Sequence, residues 1–220
     1  ARNDHARAGK NKGVVGGGIG LDLQGSRGKR DDIHRGSGDL GLAADAIGVL
    51  DAGIALVPEE RRSQGLVMNA TILQNIALAH PRGLSTLGVA SPRRERDAAE
   101  RGKSDLAISA TSVQQPVAEL SGGNQQKVVL AKMLARAPRV LLLDEPTRGI
   151  DIGTKSEIYQ LIRDLAEDGV AVVVVSSELP ELIGIADEIT VLSDGRLVDT
   201  VPAASLTEAS LLHLCTRTSA

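Results

Sequence analysis

The pattern of apolar and polar positions changes character near Gly53. Ile54-Ala55-Leu56-Val57 is a short apolar run closed by Pro58, as at the end of a buried strand. A charged loop, Glu59-Glu60-Arg61-Arg62, follows at its carboxyl edge. Within residues 69–78, Ile72, Leu73 and Ile76 predict a short amphipathic helix. Ser91-Pro92 predicts a helix start, with 93–103 as a charged, mostly solvated helix. Val128, Leu130, Ala131, Leu134 and Ala135 keep an apolar side along another helix, which Pro138 ends and which opens at Ser121-Gly122-Gly123-Asn124. The aliphatic run 140–143 predicts a strand covered on both faces. In 154–168, Ile158, Leu161, Ile162 and Leu165 recur at i, i+3, i+4 and i+7, and Gly169 stops that helix. A strand at 170–175, a helix at 180–186, a strand at 189–192, a turn at Asp194-Gly195 and a strand at 197–201 complete the series. Strands alternating with helices argue an α/β fold with a mainly parallel sheet and a terminal hairpin.

Residues 1–45 read differently. Of the 24 glycines, 13 lie at or before Gly53, mixed with Arg, Lys and Asp without an apolar period, the composition of a poorly ordered segment. Gly16-Gly17-Gly18-Ile19-Gly20 has the look of a dinucleotide fingerprint, but no clear strand leads into it, and a flexible segment is the expectation.

Composition narrows the chemistry. The 220 residues suit one domain with a substantial core. With no Phe, no Trp and Tyr159 as the single aromatic, that core is aliphatic and a base has almost nothing to stack on. A net charge of −3 and a pI near 5.8 give no electrostatic footprint for nucleic acid. Cys215 stands alone, so no intrachain disulfide forms, and a reducing compartment fits. The longest aliphatic run, 170–175, falls far short of the roughly 20 residues that span a bilayer. The polar start of the chain is not a signal peptide, and cytosolic residence is the expectation.

Two stretches carry candidate chemistry. At a helix N-terminus, unpaired N–H groups and the positive dipole end favour a phosphate; Ser121 adds a hydroxyl, and Gly122-Gly123 let an anion approach the backbone. Taken alone, Ser-Gly-Gly is equally an ordinary N-cap. At the end of the 140–143 strand, Asp144 is placed to hold Mg²⁺ through water and Glu145 to polarise an attacking water. Adjacent carboxylates also end many strands for solubility alone.

In combination, Leu120-Ser121-Gly122-Gly123-Asn124-Gln125-Gln126-Lys127 and Leu141-Leu142-Leu143-Asp144-Glu145-Pro146-Thr147-Arg148-Gly149-Ile150-Asp151 resemble the signature motif, Walker B strand and D-loop of the ABC-transporter ATPases. The resemblance is closest to the second, C-terminal nucleotide-binding domain of the two-domain ATPase subunits that serve ribose-, xylose- and galactose-type sugar importers. Residues 53–62, Ser176-Ser177-Glu178-Leu179-Pro180-Glu181 and Asp194-Gly195-Arg196 support that branch, and the likeness runs over about residues 46–215.

The resemblance implies an ABC-type nucleotide-binding domain at 46–220, with a helical subdomain at about 68–137, behind an unmatched segment at 1–45. Leu120, Ser121, Gly122, Gly123 and Asn124 would contact the γ-phosphate of ATP bound on an opposite domain. Asp144 would serve Mg²⁺, Glu145 would be the general base, and Gly149-Ile150-Asp151 the D-loop. Glu59 stands at the Q-loop glutamine position, and Ser177 at that of the switch histidine. ATP and Mg²⁺ are the implied cofactors. The implied partners are a first nucleotide-binding domain of the same subunit or another copy, a transmembrane sugar permease and, indirectly, a periplasmic or extracellular sugar-binding protein. The implied location is cytoplasmic, peripheral on the inner face of the cell membrane.

One part of the family pattern is missing. A phosphate-cradling G-x-x-x-x-G-K-[ST] loop is expected some 45 residues before Glu59. There the chain reads Asp4-His5-Ala6-Arg7-Ala8-Gly9-Lys10-Asn11, whose Asp4 would repel phosphate and whose Asn11 lacks the metal-binding hydroxyl. Gly28-Lys29 has Leu23 where the first Gly belongs. A truncated, mistranslated or diverged start is one account of this. Three functions stay open: an energy-coupling ATPase domain active only in its assembly, a catalytically incompetent interaction or regulatory module, and an ABC ATPase outside transport, against which Glu59 and Ser177 count.

Overall fold

The structure is a computed structural model that describes residues 14–18, 52–79, 85, 86, 89–193 and 196–216. The Gly9-Lys10 and Gly28-Lys29 readings, the boundary at residue 45 and the Asp194-Gly195 turn lie outside those residues.

Six strands form one sheet in the order β2-β5-β6-β1-β7-β8. They are β1 (Val14–Gly18), β2 (Ile54–Val57), β5 (Val140–Asp144), β6 (Ala171–Val175), β7 (Glu188–Ser193) and β8 (Arg196–Pro202). All neighbours pair in parallel except β7 and β8, the expected terminal hairpin. A two-stranded ribbon, β3 (Ser85–Thr86) with β4 (Val89–Ala90), lies apart from it. The helices are α1 (Ile72–Leu78), α2 (Pro92–Asp105), α3 (Gly122–Leu134), α4 (Ile152–Glu167), α5 (Leu179–Ile185) and α6 (Glu208–Cys215).

Helix starts follow their caps rather than the apolar period. Thr71 and Gln74 form a reciprocal capping box that delays α1 to Ile72. Asp151 caps α4 and opens it at Ile152, two residues ahead of the expected start. The charged segment after β2 is not simply a loop, since Arg61–Gly65 closes a single π-type turn.

The core lies on one face of the sheet. Ala55, Val57, Leu141, Leu143, Val172, Val174, Ile189 and Val191 are all buried on it, together with Leu130, Ile158, Ile162 and Leu182 from the helices. The opposite face carries Leu56, Leu142 and Val173, which lie side by side in register. A second part of the same core, built on Ile72, Ile76, Ala99 and Leu106, joins α1, α2 and α3.

Strand β1 corrects the sequence reading, because a strand does lead into Gly16. Val14 to Gly17 pair with Val172 to Val175 of β6, and Val15 to Gly18 pair with Glu188 to Val191 of β7. Three glycines in five residues are weak strand formers by themselves. Two flanking ladders supply what local propensity lacks.

Candidate functional site

Strands β5 and β6 end side by side, with Asp144 in register with Val175. Just beyond, Glu145 sits at φ +46°, in the left-handed region that a side chain resists. Its N–H donates to the Val175 carbonyl at 2.8 Å, and its Oε1 accepts the Ser177 N–H at 2.7 Å. A strained backbone and two hydrogen bonds thus aim one carboxylate across the carboxyl edge of the sheet. The backbone of Ser177 makes this contact, so the residue serves Glu145 whatever its hydroxyl does.

A cavity of about 680 Å³ opens at that edge, where Glu59, Asp144, Glu145, Arg148 and Ser177 form its polar side over a floor of Leu56, Leu142 and Val173. Arg148 is ion-paired with Glu59. Asp144 supplies a hard carboxylate oxygen at this cavity, the donor type that Mg²⁺ takes, one or two at a time, alongside phosphate and water oxygens. The residues fit that ion.

The 120–124 motif stands outside this cavity. Ser121 is exposed at the N-terminus of α3, and its Oγ accepts from Asn124 N at 3.3 Å and Asn124 Nδ2 at 2.9 Å. It is therefore an N-cap in this structure. Asn124 Oδ1 in turn accepts the Ser109 N–H at 2.7 Å. Leu120 is only 8% exposed and belongs to the core, while its carbonyl accepts from the fully buried Gln125 side chain at 3.0 Å. Gly123 presses on Thr154, where an added Cβ would lie 2.6 Å from Thr154 Cγ2. Thr154 donates to Asp151 through N at 3.0 Å and Oγ1 at 2.8 Å, and those two bonds hold the exposed Asp151 carboxyl below its ordinary value.

The candidates thus fall into two groups, Glu59-Asp144-Glu145-Ser177 and the turn 121–124 with Asp151. Arg61, to which the sequence reading gave no role within its charged loop, joins them. Arg61 Nη1 donates to the Arg148 carbonyl at 3.1 Å, and Arg61 Nη2 lies where a Cβ on Gly122 would meet it at 2.8 Å. Burial lowers the Arg61 pKa, and its Nε is buried without a hydrogen-bond partner. The one available signal was its place two residues beyond Glu59 at a strand end.

Comparison with known proteins agrees with this architecture. The profile of the ABC transporter family matches residues 29–148, beginning inside the segment that the sequence set apart. A ribose import ATP-binding protein of Ruegeria sp. (strain TM1040) is 46% identical over 170 residues, 77% of this chain and 33% of that protein. One from Streptomyces avermitilis is 48% identical over 165 residues, 75% of this chain and 33% of that protein. This chain spans about a third of the length of these curated relatives. A dimeric ATP-binding cassette, solved in a post-hydrolysis state with ADP and Pi, superposes with a TM-score of 0.58 at 28% identity, over 70% of this chain and 64% of that one. Among the described residues no helix is long and apolar enough to cross a membrane. With its family profile matched over more than half of its length, and an ATP-binding cassette sharing its fold, the chain belongs to the ABC transporter family.

Proposed function

We propose that the chain is an ATP-binding, energy-coupling domain of a carbohydrate importer, which supplies its signature turn and its Walker B carboxylates to composite ATP sites at a dimer interface. The observation that carries this reading is the aim of Glu145, held by its backbone conformation and by the Ser177 N–H at a cavity that Asp144 and Glu59 also line. The exposed turn at Ser121, which does not line that cavity, suits a ligand whose phosphates arrive on a second domain. The ribose-import relatives support the carbohydrate assignment, and the dimeric cassette supports a paired domain.

In this reading Glu145 accepts the proton of the water that attacks the γ-phosphate, while the Ser177 N–H keeps the carboxylate turned toward it. Asp144 would hold Mg²⁺, which when bound neutralises phosphate charge. Ser121, Gly122, Gly123 and Asn124 would bind the γ-phosphate of ATP seated on the partner domain. Asp151 would carry contact between the two sites, and the buried Leu120 would serve by shaping the turn. Glu59, already paired with Arg148, reports on the cavity through that pair. The other partners would be a transmembrane sugar permease and, through it, a sugar-binding protein. The chain would work at the cytoplasmic face of the membrane. The domain would run over 46–220 with a helical part at about 68–137, and its sheet also takes in β1, which lies within 1–45 and pairs with β6 and β7.

A second reading, an ABC-like module without its own catalysis, is favoured by one observation. The Gly9-Lys10 pair precedes β1, whereas a phosphate loop follows its strand. One experiment separates the two. The chain alone is expected to hydrolyse little or no ATP, and mixing it with a nucleotide-binding domain that has an intact phosphate loop is expected to generate activity. Glu145→Gln in the mixture should lower kcat by at least about 100-fold. Ser121→Arg should abolish the gain on mixing. Unchanged activity with Ser121→Arg would sink the composite site, and hydrolysis by the chain alone, lost with Glu145→Gln, would sink the second reading.

A further inference from the structure

Beneath the loops that carry Glu145 and Ser177 lies a buried carboxylate that this chemistry does not use. Glu181, in the first turn of α5, is 5% exposed. Its Oε1 accepts the Thr147 hydroxyl at 3.0 Å, and its Oε2 accepts the Ser176 hydroxyl at 2.5 Å. Thr147 and Ser176 are each 1% exposed, so neither bond is shared with solvent at the surface. The Ser176 Oγ also accepts the Glu178 N–H at 3.1 Å, tying the start of α5 into the same cluster.

The placement of the two hydroxyls is informative. Thr147 is two residues after Glu145, in the loop that leaves β5. Ser176 immediately precedes Ser177, in the loop that leaves β6. One carboxylate therefore grips both loops, which the Glu145–Ser177 hydrogen bond also joins. Core packing does not call for a charge here. Leu182 and Ile185 on the same helix are buried apolar residues, and an apolar residue at 181 would avoid the cost of desolvating a carboxylate. Burial pushes the Glu181 carboxyl above its ordinary value against the pull of its two hydroxyl bonds, which registers that cost.

We propose that Glu181 is a positioning residue for Glu145: by holding Thr147 and Ser176 it fixes the separation of the two loops, and so keeps the Ser177 N–H on the Glu145 carboxylate. The role rests on the reading of Glu145 as the general base. Carboxylate geometry matters in that reaction because the base must meet the attacking water in one orientation. Two oxygens accepting from two different loops define that geometry in a way that a single hydrogen bond cannot.

Amide hydrogen exchange on the full chain tests the brace without any catalysis. In Glu181→Leu the Ser177 and Arg148 amides are expected to exchange at least about tenfold faster, while those of Leu141 to Leu143 in β5 keep their protection. Thr147→Val, which removes one arm and leaves the carboxylate, should speed the same two amides by a smaller factor. Glu181→Gln, which keeps an acceptor oxygen, should restore most of the protection. Unchanged Ser177 exchange in Glu181→Leu would overturn the proposal. So would equal loosening of β5 and the two loops in both Glu181→Leu and Thr147→Val, the mark of a merely structural residue. In the mixture with a phosphate-loop-bearing domain, Glu181→Leu should lower kcat by about 10- to 100-fold with KM changed less than about twofold. A wild-type mixture without activity would defeat the composite-site reading, and the exchange measurement would still decide whether Glu181 braces the loops.

Discussion

Two residues share one backbone conformation for different reasons. Glu145 and Ala107 both lie at φ +46°, a region that costs a non-glycine residue on the order of 1 kcal/mol or more. Ala107 closes α2: its N–H donates to the Ser104 carbonyl at 3.1 Å, and Ile108 N to the Lys103 carbonyl at 2.9 Å, the pattern in which glycine is the usual occupant. The Ala107 side chain is exposed, and the contact it makes with Lys127 uses its carbonyl. Ala107→Gly is therefore expected to stabilise the chain by about 0.5 kcal/mol, seen as a higher urea midpoint at unchanged slope. At Glu145 the same exchange would relieve the same strain but remove the carboxylate that the strain aims. At 145 that strain sits at a carboxylate beside a cavity, the kind of place where such strain clusters, whereas at 107 it only closes a helix.

Among the elements, the contact of α3 with α4 sets the relation between the turn at 121–124 and Asp151. Gly123 is buried against Thr154, whose Cγ2 and Oγ1 would stand 2.6 and 2.7 Å from an added Cβ. Thr154 cannot turn away without giving up its hydroxyl bond to Asp151. Gly123→Ala is expected to cost about 1–3 kcal/mol and to lower the Tm, with the Thr154 amide losing protection first. The helices themselves were legible because their apolar residues recur with a helical period, as at Ile158, Leu161, Ile162 and Leu165. The closeness of the 144–145 and 175–177 segments was legible too, since strand, helix and strand in succession place β5 beside β6. The inward turn of Glu181 was not, because in sequence it is a lone carboxylate in an apolar stretch, Leu179-Pro180-Glu181-Leu182-Ile183, and only the hydroxyls of Thr147 and Ser176 give it a reason to be buried. Arg61 was missed on similar grounds, its burial coming from Gly122 and the carbonyl of Arg148, far along the chain. Leu120 shows the reverse, a motif residue whose side chain belongs to the core.

For the whole molecule, the decisive element is the one with the least local signal. Strand β1 is the first of the six in sequence yet fourth in the sheet, and among the described residues no ladder joins β6 directly to β7. Its partners come late in the chain: Val14 pairs with Val172. The two halves of the sheet, β2-β5-β6 and β7-β8, can each assemble from nearer segments, whereas β1 must wait for both. Pulse-labelled exchange during refolding is expected to protect the Leu141 and Val172 amides in an early phase and the Val15 and Gly17 amides in a later, slower one; simultaneous protection would exclude this order. Until β1 docks, β6 and β7 each present an open edge of unpaired N–H and C=O groups. The slot between them is one strand wide and accepts a strand on either side, so an identical segment from another molecule fits it as well as the chain's own. The refolding yield of this domain should accordingly fall as protein concentration rises, with the loss set while the slot is empty.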